Sequence, residues 1–401
     1  MTALGGLRIG LIGTRGVPAH YGGFETAVEE VGQRLAARGH DVVVYCRTNA
    51  AIERQAEYLG MQLVHLPALR RRSLETLSHT GLSVAHALRN RPDAAFVFNA
   101  ANSPWLPVLR AARVPVATHV DGLEWKRGKW GPAGRRYYRL AESLAVRWSD
   151  AIIADAVGIQ EYYRAEFDAP SRLISYGAPV LTDIGDHRLA DLNLRPRRYH
   201  LVVARFEPEN HLEEIVRGYV ASDAREPLIV VGSAPYAQEY TRRLRAVADG
   251  RVRFLGGVWD SELLDQLFGN ALTYLHGHSV GGTNPALLRA IGAGAPTIAF
   301  EVRFNREVLG DDGRYFTAPA QVAAWLGEAE RDPASAQVRG RALQDRARAY
   351  DWDDVAERYE QLAQDLAARS TPRTALTGRR TRKRPSGSGR DRAEASGIER
   401  V

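Results

Sequence analysis

The chain has 401 residues, enough for two domains of ordinary size, and its 45% hydrophobic and 25% charged residues are typical of a globular protein without an apolar run that could span a bilayer. A single cysteine, Cys46, excludes an intrachain disulfide and a cysteine-based metal cluster, and it fits a reducing cytoplasm. Residues 369–401 hold ten Lys or Arg and three Asp or Glu, which equals the net charge of +7 of the whole chain, so the body is close to neutral and is not expected to bind nucleic acid.

Apolar, β-branched segments alternate with helical patterns from the N-terminus onward. The start of the chain lacks the basic region and cleavage site of a secretory signal, so 7–14 is predicted as a first strand. Residues 25–38 place Val28, Val31 and Leu35 on one helical stripe. Further strands are predicted at 41–47, 62–66, 94–99, 114–120, 151–154 and 172–176. This alternation indicates a parallel sheet covered by helices on both faces.

A polar, turn-rich stretch at 182–198 interrupts the alternation, and we interpret it as the connection between two domains. The pattern then restarts, with helices predicted at 212–219 and 236–248. The strands predicted in this half are 200–206, 227–232, 252–255, 271–275 and 296–302. Two Rossmann-like α/β domains, 1–182 and 183–350, are therefore expected to face each other across a cleft, with ligands at the carboxyl ends of their strands.

The C-terminal region divides into a helix and a basic tail. The helix is predicted at 353–368, and we interpret Asp351, Asp353 and Asp354 at its start as capping acids rather than metal ligands. Residues 369–401 have too few apolar side chains to pack and are expected to be disordered. The tail binds an anionic membrane surface or nucleic acid, or it only solubilises the protein.

Glycines cluster where the first strand gives way to a helix. Gly13 and Gly16 are followed by the pair Gly22 and Gly23. Such a turn lets backbone amides approach a phosphate, and the positive end of the next helix favours the anion. The spacing is not that of a dinucleotide fingerprint, and no acid follows the second strand to hold a ribose. A nicotinamide-dependent enzyme is therefore disfavoured.

A second anion site is predicted at residues 276–285. Gly281, Gly282 and Thr283 precede Asn284, a good N-cap, and Pro285, which suits the first helical position. The two histidines of this segment, His276 and His278, alternate along a strand end and are expected to point to opposite faces, so they should not share a metal.

Two more segments lie at strand ends and carry polar side chains. Arg205 follows the first strand of the second domain, where its guanidinium can hold phosphate oxygens with two parallel hydrogen bonds. Asp121, Glu124, Trp125 and Lys126 leave the fifth strand, and this mixture of charged and aromatic side chains suits sugars and phosphates. We expect Asp121 to position the sugar or the acceptor, and Glu124, Trp125 and Lys126 to bind the acceptor.

Together these segments resemble one family. The matching stretches are 13–25, 120–127, 205–210, 276–285 and 304–310. With two α/β domains and a late Tyr-Asp-Trp before the last helix, the chain resembles glycosyltransferase family 4 of the GT-B fold. It is most similar to the rhamnosyltransferase-like branch of bacterial polysaccharide synthesis. The resemblance spans residues 7 to about 366 and excludes the tail.

The resemblance implies a fold, a reaction and a set of roles. The helix at 351–368 should cross back onto the first domain. The reaction would be a retaining transfer, without metal or other cofactor, from a nucleotide sugar such as dTDP-rhamnose to a lipid-linked saccharide at the inner membrane face. The donor would be bound through its diphosphate by Arg205, by Gly22 and Gly23 on the first domain, and by Gly282, Thr283 and Asn284 on the second.

The chain departs from the family at three positions. A lysine is usual where this chain has Asn210, and two glutamates are usual where it has Gly281 and Arg289. The second glutamate normally binds the nucleotide ribose, so Arg289 is expected to weaken that contact. Arg289 could also reach the diphosphate, in compensation for Asn210, or pair with an acid such as Glu301. These departures leave open a second function, a sugar-nucleotide-binding or scaffold subunit without turnover.

Overall fold

The structure is a computed structural model that describes residues 6–19, 22–48, 54–69, 74–120, 122–128, 130–232 and 238–371. Asp121, for which a role is predicted above, lies outside the described residues, as does the basic tail from residue 372 onward. None of the helices in these ranges combines the length and apolar character needed to cross a bilayer.

The first half of the chain forms a sheet of eight strands. Their order across the sheet is β3-β4-β2-β1-β5-β6-β7-β8, and every neighbouring pair is parallel except β3 and β4. The strands are β1 (Arg8–Ile12), β2 (Asp41–Arg47), β3 (Glu57–Tyr58), β4 (Met61–Leu66), β5 (Ala94–Phe98), β6 (Val116–His119), β7 (Ala151–Ala154) and β8 (Arg172–Leu173). The helices are α1 (Gly23–Ala37), α2 (Glu75–Asn90), α3 (Leu106–Ala111), α4 (Pro132–Trp148) and α5 (Val157–Phe167).

The second half forms a parallel sheet of six strands in the order β11-β10-β9-β12-β13-β14. These strands are β9 (His200–Val203), β10 (Leu228–Val231), β11 (Val252–Gly256), β12 (Thr273–His276), β13 (Thr297–Phe300) and β14 (Arg314–Phe316). The helices are α6 (Leu212–Val220), α7 (Gln238–Val247), α8 (Ser261–Gly269), α9 (Pro285–Gly292), α10 (Arg303–Leu309), α11 (Pro319–Arg331), α12 (Pro333–Ala347) and α13 (Trp352–Ala367). Two Rossmann-like domains are thus confirmed.

Burial follows the predicted periodicity. Val28, Val31 and Leu35 of α1 are fully buried against the first sheet. The prediction missed the short strands β3 and β14. Since β3 has only two residues and meets β4 through a tight turn, it offers no alternation to detect.

Helix α13 returns to the first domain, as the resemblance implied. Tyr359 is buried there against Phe96, with ring centroids 5.0 Å apart, and Glu360 lies 3.0 Å from His40. Asp351 caps the helix by accepting a hydrogen bond from the Asp353 amide at 2.6 Å, which confirms the capping role. Within the described residues, no three His, Cys, Asp or Glu side chains come together as a metal-binding group.

Candidate active site between the two sheets

The strand-end loops of the two domains touch each other at glycines. A Cβ atom added to Gly122 would lie 2.1 Å from the Cα atom of Gly281, and one added to Gly282 would lie 2.0 Å from Asp155 Oδ1. Thr283 donates from its hydroxyl to the Asp155 carbonyl at 2.8 Å. The predicted anion loop at 281–283 therefore faces the first domain directly.

Helix α9 begins as predicted. Asn284 accepts a hydrogen bond from the Ala286 amide at 2.9 Å, and Pro285 is the first helical residue. Pro285 also packs toward Gly23 of the first domain, where an added Cβ atom would lie 2.8 Å from its ring. The N-terminus of α9 and the glycine turn before α1 thus belong to one site.

Some backbone amides of the glycine turn are already hydrogen-bonded to carboxylates of the protein. Gly22 has a φ of 105°, which a residue with a side chain rarely adopts. Glu25 accepts from the Arg15 amide at 3.0 Å, and Glu29 accepts from the Ala19 amide at 2.6 Å. Burial raises the pKa of the Glu25 carboxyl. These two amides are therefore committed within the protein, so an incoming phosphate must use other donors.

Arg205 lies at the carboxyl end of β9, where it was predicted. Its side chain is 40% exposed, and its guanidinium lies 3.6 Å from Glu207, beyond hydrogen-bonding distance. Among the described residues it donates no side-chain hydrogen bond. A partly exposed guanidinium with available N–H groups, at this edge of the sheet, is well placed to receive an anion.

Asn210 is buried just behind Arg205. Its side-chain nitrogen donates to the Arg205 carbonyl at 2.8 Å, and its side-chain oxygen accepts from His278 Nδ1 at 2.9 Å. The amide therefore fixes the backbone of Arg205 and the ring of His278. It supplies no positive charge in place of a lysine.

The two histidines share one environment, so the expectation that they point to opposite faces was wrong. Their ring centroids are 6.1 Å apart, and residues two positions apart along an extended chain lie on the same face. Burial lowers the pKa of His276 to about 3. Burial, with the nearby positive charges of Arg127 and Arg205, holds the pKa of His278 well below its usual range. Both rings are therefore neutral near pH 7.

His119, at the end of β6, was missed in the sequence analysis. It is fully buried, its Nδ1 lies 2.7 Å from the Tyr359 hydroxyl, and burial lowers its pKa to about 3. Its Nε2 has no hydrogen-bond partner among the described residues. A buried neutral histidine at a strand end in this cleft can exchange a hydrogen bond with a ligand hydroxyl. Its position, two residues before Asp121 at the carboxyl end of a predicted strand, was the available signal.

The segment 122–128 carries the predicted acceptor ligands. Glu124 is buried, ion-paired with Arg127 and hydrogen-bonded by Trp130 Nε1 at 3.3 Å. The ring of Trp125 lies under Arg139, 4.3 Å from its guanidinium carbon, whereas Lys126 is exposed. Of the three residues, Glu124 is thus engaged within the protein and Lys126 is open to solvent.

Arg289 turns toward α8. Its Nε donates to Asp265 at 2.7 Å and its Nη2 donates to the Ser261 carbonyl at 2.9 Å. Glu301, the acid considered in the sequence analysis, instead accepts from Arg306 at 2.6 Å. Arg289 therefore pairs with an acid, but that acid is Asp265 and not Glu301.

Two family models match the chain. The glycosyl transferase 4-like domain matches residues 22–177, and the domain described as glycosyl transferases group 1 matches residues 197–331. No curated protein matches by sequence.

Solved structures share the whole two-domain architecture at low identity. Sucrose-phosphate synthase from Thermosynechococcus elongatus aligns with a TM-score of 0.78 and 20% identity, over 90% of this chain and 99% of its own. Anabaena HepE in complex with UDP-glucose aligns with a TM-score of 0.72 and 16% identity, over 89% and 100%. The α,α-trehalose-phosphate synthase (UDP-forming) from Burkholderia xenovorans, in complex with glucose-6-phosphate, aligns with a TM-score of 0.66 and 11% identity, over 89% of this chain and 100% of its own. These likenesses show the GT-B fold.

Proposed function

The chain belongs to the glycosyltransferases of GT-B fold, and we propose from that premise that it is a retaining enzyme that moves L-rhamnose from dTDP-rhamnose onto a lipid-linked saccharide in the synthesis of a cell-surface polysaccharide. The nucleotide-sugar class of the donor is supported by similar structures that hold UDP-glucose. The rhamnosyl donor is supported by the five segments that resemble the rhamnosyltransferase-like branch.

The observation that carries the proposal is the position of Arg205. Its partly exposed guanidinium lies at the carboxyl end of β9 without a side-chain hydrogen bond from the described residues. The neighbouring strand, β12, leads to the capped N-terminus of α9. A guanidinium and a helix N-terminus on adjacent strand ends form a site for a diphosphate.

The step follows from the charges at this site. The bond between C1 of the donor sugar and the β-phosphate oxygen breaks, and its electron pair goes to that oxygen. A new bond forms between C1 and the acceptor hydroxyl oxygen, whose proton passes to the leaving phosphate. Arg205 and the amides at the start of α9 stabilise the negative charge that develops on the phosphate, which is the term that usually contributes most to such catalysis.

The acceptor is expected on the first-domain side of the cleft. Asp121, Trp125 and Lys126 follow β6 in the sequence, and His119 at the end of β6 has a buried ring nitrogen without a hydrogen-bond partner among the described residues. We place the protein in the cytoplasm at the inner membrane face, where a lipid-linked acceptor and the basic tail would meet the same surface.

A binding and turnover screen tests the proposal. Purified protein is titrated with dTDP-rhamnose, UDP-glucose, dTDP and UDP by calorimetry, and release of nucleoside diphosphate is followed with and without EDTA. We expect binding of dTDP-rhamnose and turnover that EDTA leaves unchanged. Turnover lost in EDTA and restored by Mg²⁺ or Mn²⁺ would contradict the metal-independent step, and failure of every nucleotide to bind would contradict the function.

The replacement of the usual glutamate by Arg289 favours a second function, a sugar-nucleotide-binding or scaffold subunit without catalysis. This alternative predicts nucleotide binding in the screen with neither hydrolysis nor transfer. Release of dTDP from dTDP-rhamnose by the purified protein excludes it.

A further inference from the structure

A loop of the first domain crosses the mouth of the second-domain site. The segment 122–128 begins at Gly122, which touches Gly281. It ends at Gly128, whose added Cβ atom would lie 4.0 Å from the Glu209 carboxylate. Since Gly281 precedes α9 and Glu209 follows Arg205, this loop spans the two elements that we assign to the donor diphosphate.

Arg127 is the buried cation of that loop. It is ion-paired with Glu124 of its own domain and exposes only 7% of its side chain. Its Nη1 also lies 4.0 Å from Glu207 and 3.9 Å from Glu209 across the cleft. Both acids are thus within ion-pair distance of the guanidinium and beyond hydrogen-bonding distance.

Arg127 and Arg205 converge on one carboxylate oxygen. Glu207 Oε2 lies 4.0 Å from Arg127 Nη1 and 3.6 Å from Arg205 Nη2, so the two nitrogens are no farther apart than the sum of those distances. Glu207 Oε2 accepts no hydrogen bond from a described residue, and neither does either oxygen of the buried Glu209.

We propose that Arg127 is a further catalytic residue, a second arginine of the diphosphate site that the first domain supplies across the cleft. The proposal rests on the function proposed above. A diphosphate between the two guanidinium groups would accept charge-assisted hydrogen bonds of about 2.8 Å from each of them. Arg127 would then stabilise the same phosphate oxygen that takes the electron pair when the bond to C1 breaks.

The second domain lacks a positive charge at Asn210, which explains why the first domain would contribute an arginine to the diphosphate site. The uncharged side-chain amide of Asn210, five residues after Arg205, is hydrogen-bonded to the Arg205 carbonyl and to His278. The acids Glu207 and Glu209 lie beside the two guanidinium groups, within ion-pair distance. Arg127 is a buried cation of the first domain that reaches this point, so it can supply the charge that Asn210 lacks.

The test compares nucleoside diphosphates with monophosphates. Arg127→Met is combined with Glu124→Gln, because Glu124 is buried and would otherwise lose its counter-charge. Arg127→Lys is the conservative variant, which keeps the charge but not the planar fork. Arg89→Ala, an exposed arginine near the end of α2, is the matched control. Thermal unfolding establishes that each variant is folded, and calorimetry measures binding of UDP, dTDP, UMP and dTMP.

We expect the double variant to bind UDP and dTDP about 10- to 150-fold more weakly, the range for loss of hydrogen bonds to a charged group. Binding of UMP and dTMP should change little, Arg127→Lys should fall between wild type and the double variant, and Arg89→Ala should match wild type. An equal loss for monophosphates would assign Arg127 to cleft closure and overturn the proposal.

The remaining outcomes separate this inference from the function. Suppose that wild type binds the nucleoside diphosphates, that Arg205→Ala lowers the affinity, and that the folded Arg127 variants keep it. The inference is then overturned and the proposed function stands. If the double variant does not fold, Arg127→Lys decides, and diphosphate affinity equal to wild type overturns the inference. Wild type that binds no nucleoside diphosphate overturns both.

Discussion

Replacing Arg289 with glutamate tests what this position does to the nucleotide. In the structure Arg289 is held by Asp265 at 2.7 Å and by the Ser261 carbonyl at 2.9 Å, which ties α9 to α8. A glutamate would lose both bonds and face Asp265 with a like charge. It would also place a hydrogen-bond acceptor where arginine has only donors.

The substitution is expected to have opposite effects on the free energy of unfolding and on the affinity for the nucleotide. The Arg289 and Asp265 side chains are 26% and 27% exposed, so solvent screens their pair. We expect Arg289→Glu to lower the free energy of unfolding by about 1–2 kcal/mol, toward the lower end for hydrogen bonds to charged groups. If the new carboxylate accepts from the ribose hydroxyls, the nucleotide donor should bind about 1–3 kcal/mol more tightly.

The assay is calorimetry with dTDP-rhamnose and with UDP, alongside urea unfolding. Arg306→Glu is the matched control, because Arg306 pairs with Glu301 at 2.6 Å and makes the same charge change on α10. We expect tighter nucleotide binding by Arg289→Glu than by wild type or the control. Weaker binding by Arg289→Glu than by either one refutes the reasoning, since Arg289 must then contact the donor phosphates.

Three further changes test other parts of the site and the tail. Arg205→Ala should lower turnover about 100- to 1000-fold in a folded protein, the usual loss of one preorganised charge donor, and an unchanged rate would remove Arg205 from the site. Gly282→Ala places a Cβ atom 2.0 Å from Asp155 Oδ1 and should hold the domains apart, with turnover about 100-fold lower and normal unfolding; wild-type turnover would contradict the close approach. A chain that ends at Arg369 should fold normally, because α13 ends at Ala367, and should no longer sediment with anionic vesicles. Equal sedimentation of both forms would exclude the tail as the membrane contact.

The elements that were predicted well have local signals. Strand β2 matches its predicted bounds because its β-branched residues Val42, Val43 and Val44 are buried between parallel neighbours. The start of α9 was predicted because Asn284 and Pro285 act on the backbone within two residues.

The features that were missed depend on contacts between distant parts of the chain. His119 lies within hydrogen-bonding distance of Tyr359, 240 residues away, and no local pattern connects Tyr359 to β6. The predicted separation of His276 and His278 misapplied the period of a strand, which places residues two positions apart on the same face. The partner of Arg289 is set by the packing of α8 against α9, so the sequence could name the residue but not the acid that binds it.

The close contact between the two domains gives a further structural reason for the glycines of the site. Gly122 meets Gly281, Gly282 meets Asp155, and Gly23 meets Pro285, each within a distance that leaves no room for a side chain. These contacts join residues from separate halves of the chain, so the glycine-rich segments also define the face along which the two domains close. The same contact between the domains places Arg127 and Arg205 beside Glu207, at 4.0 Å and 3.6 Å, so the charged site is assembled from both halves of the chain.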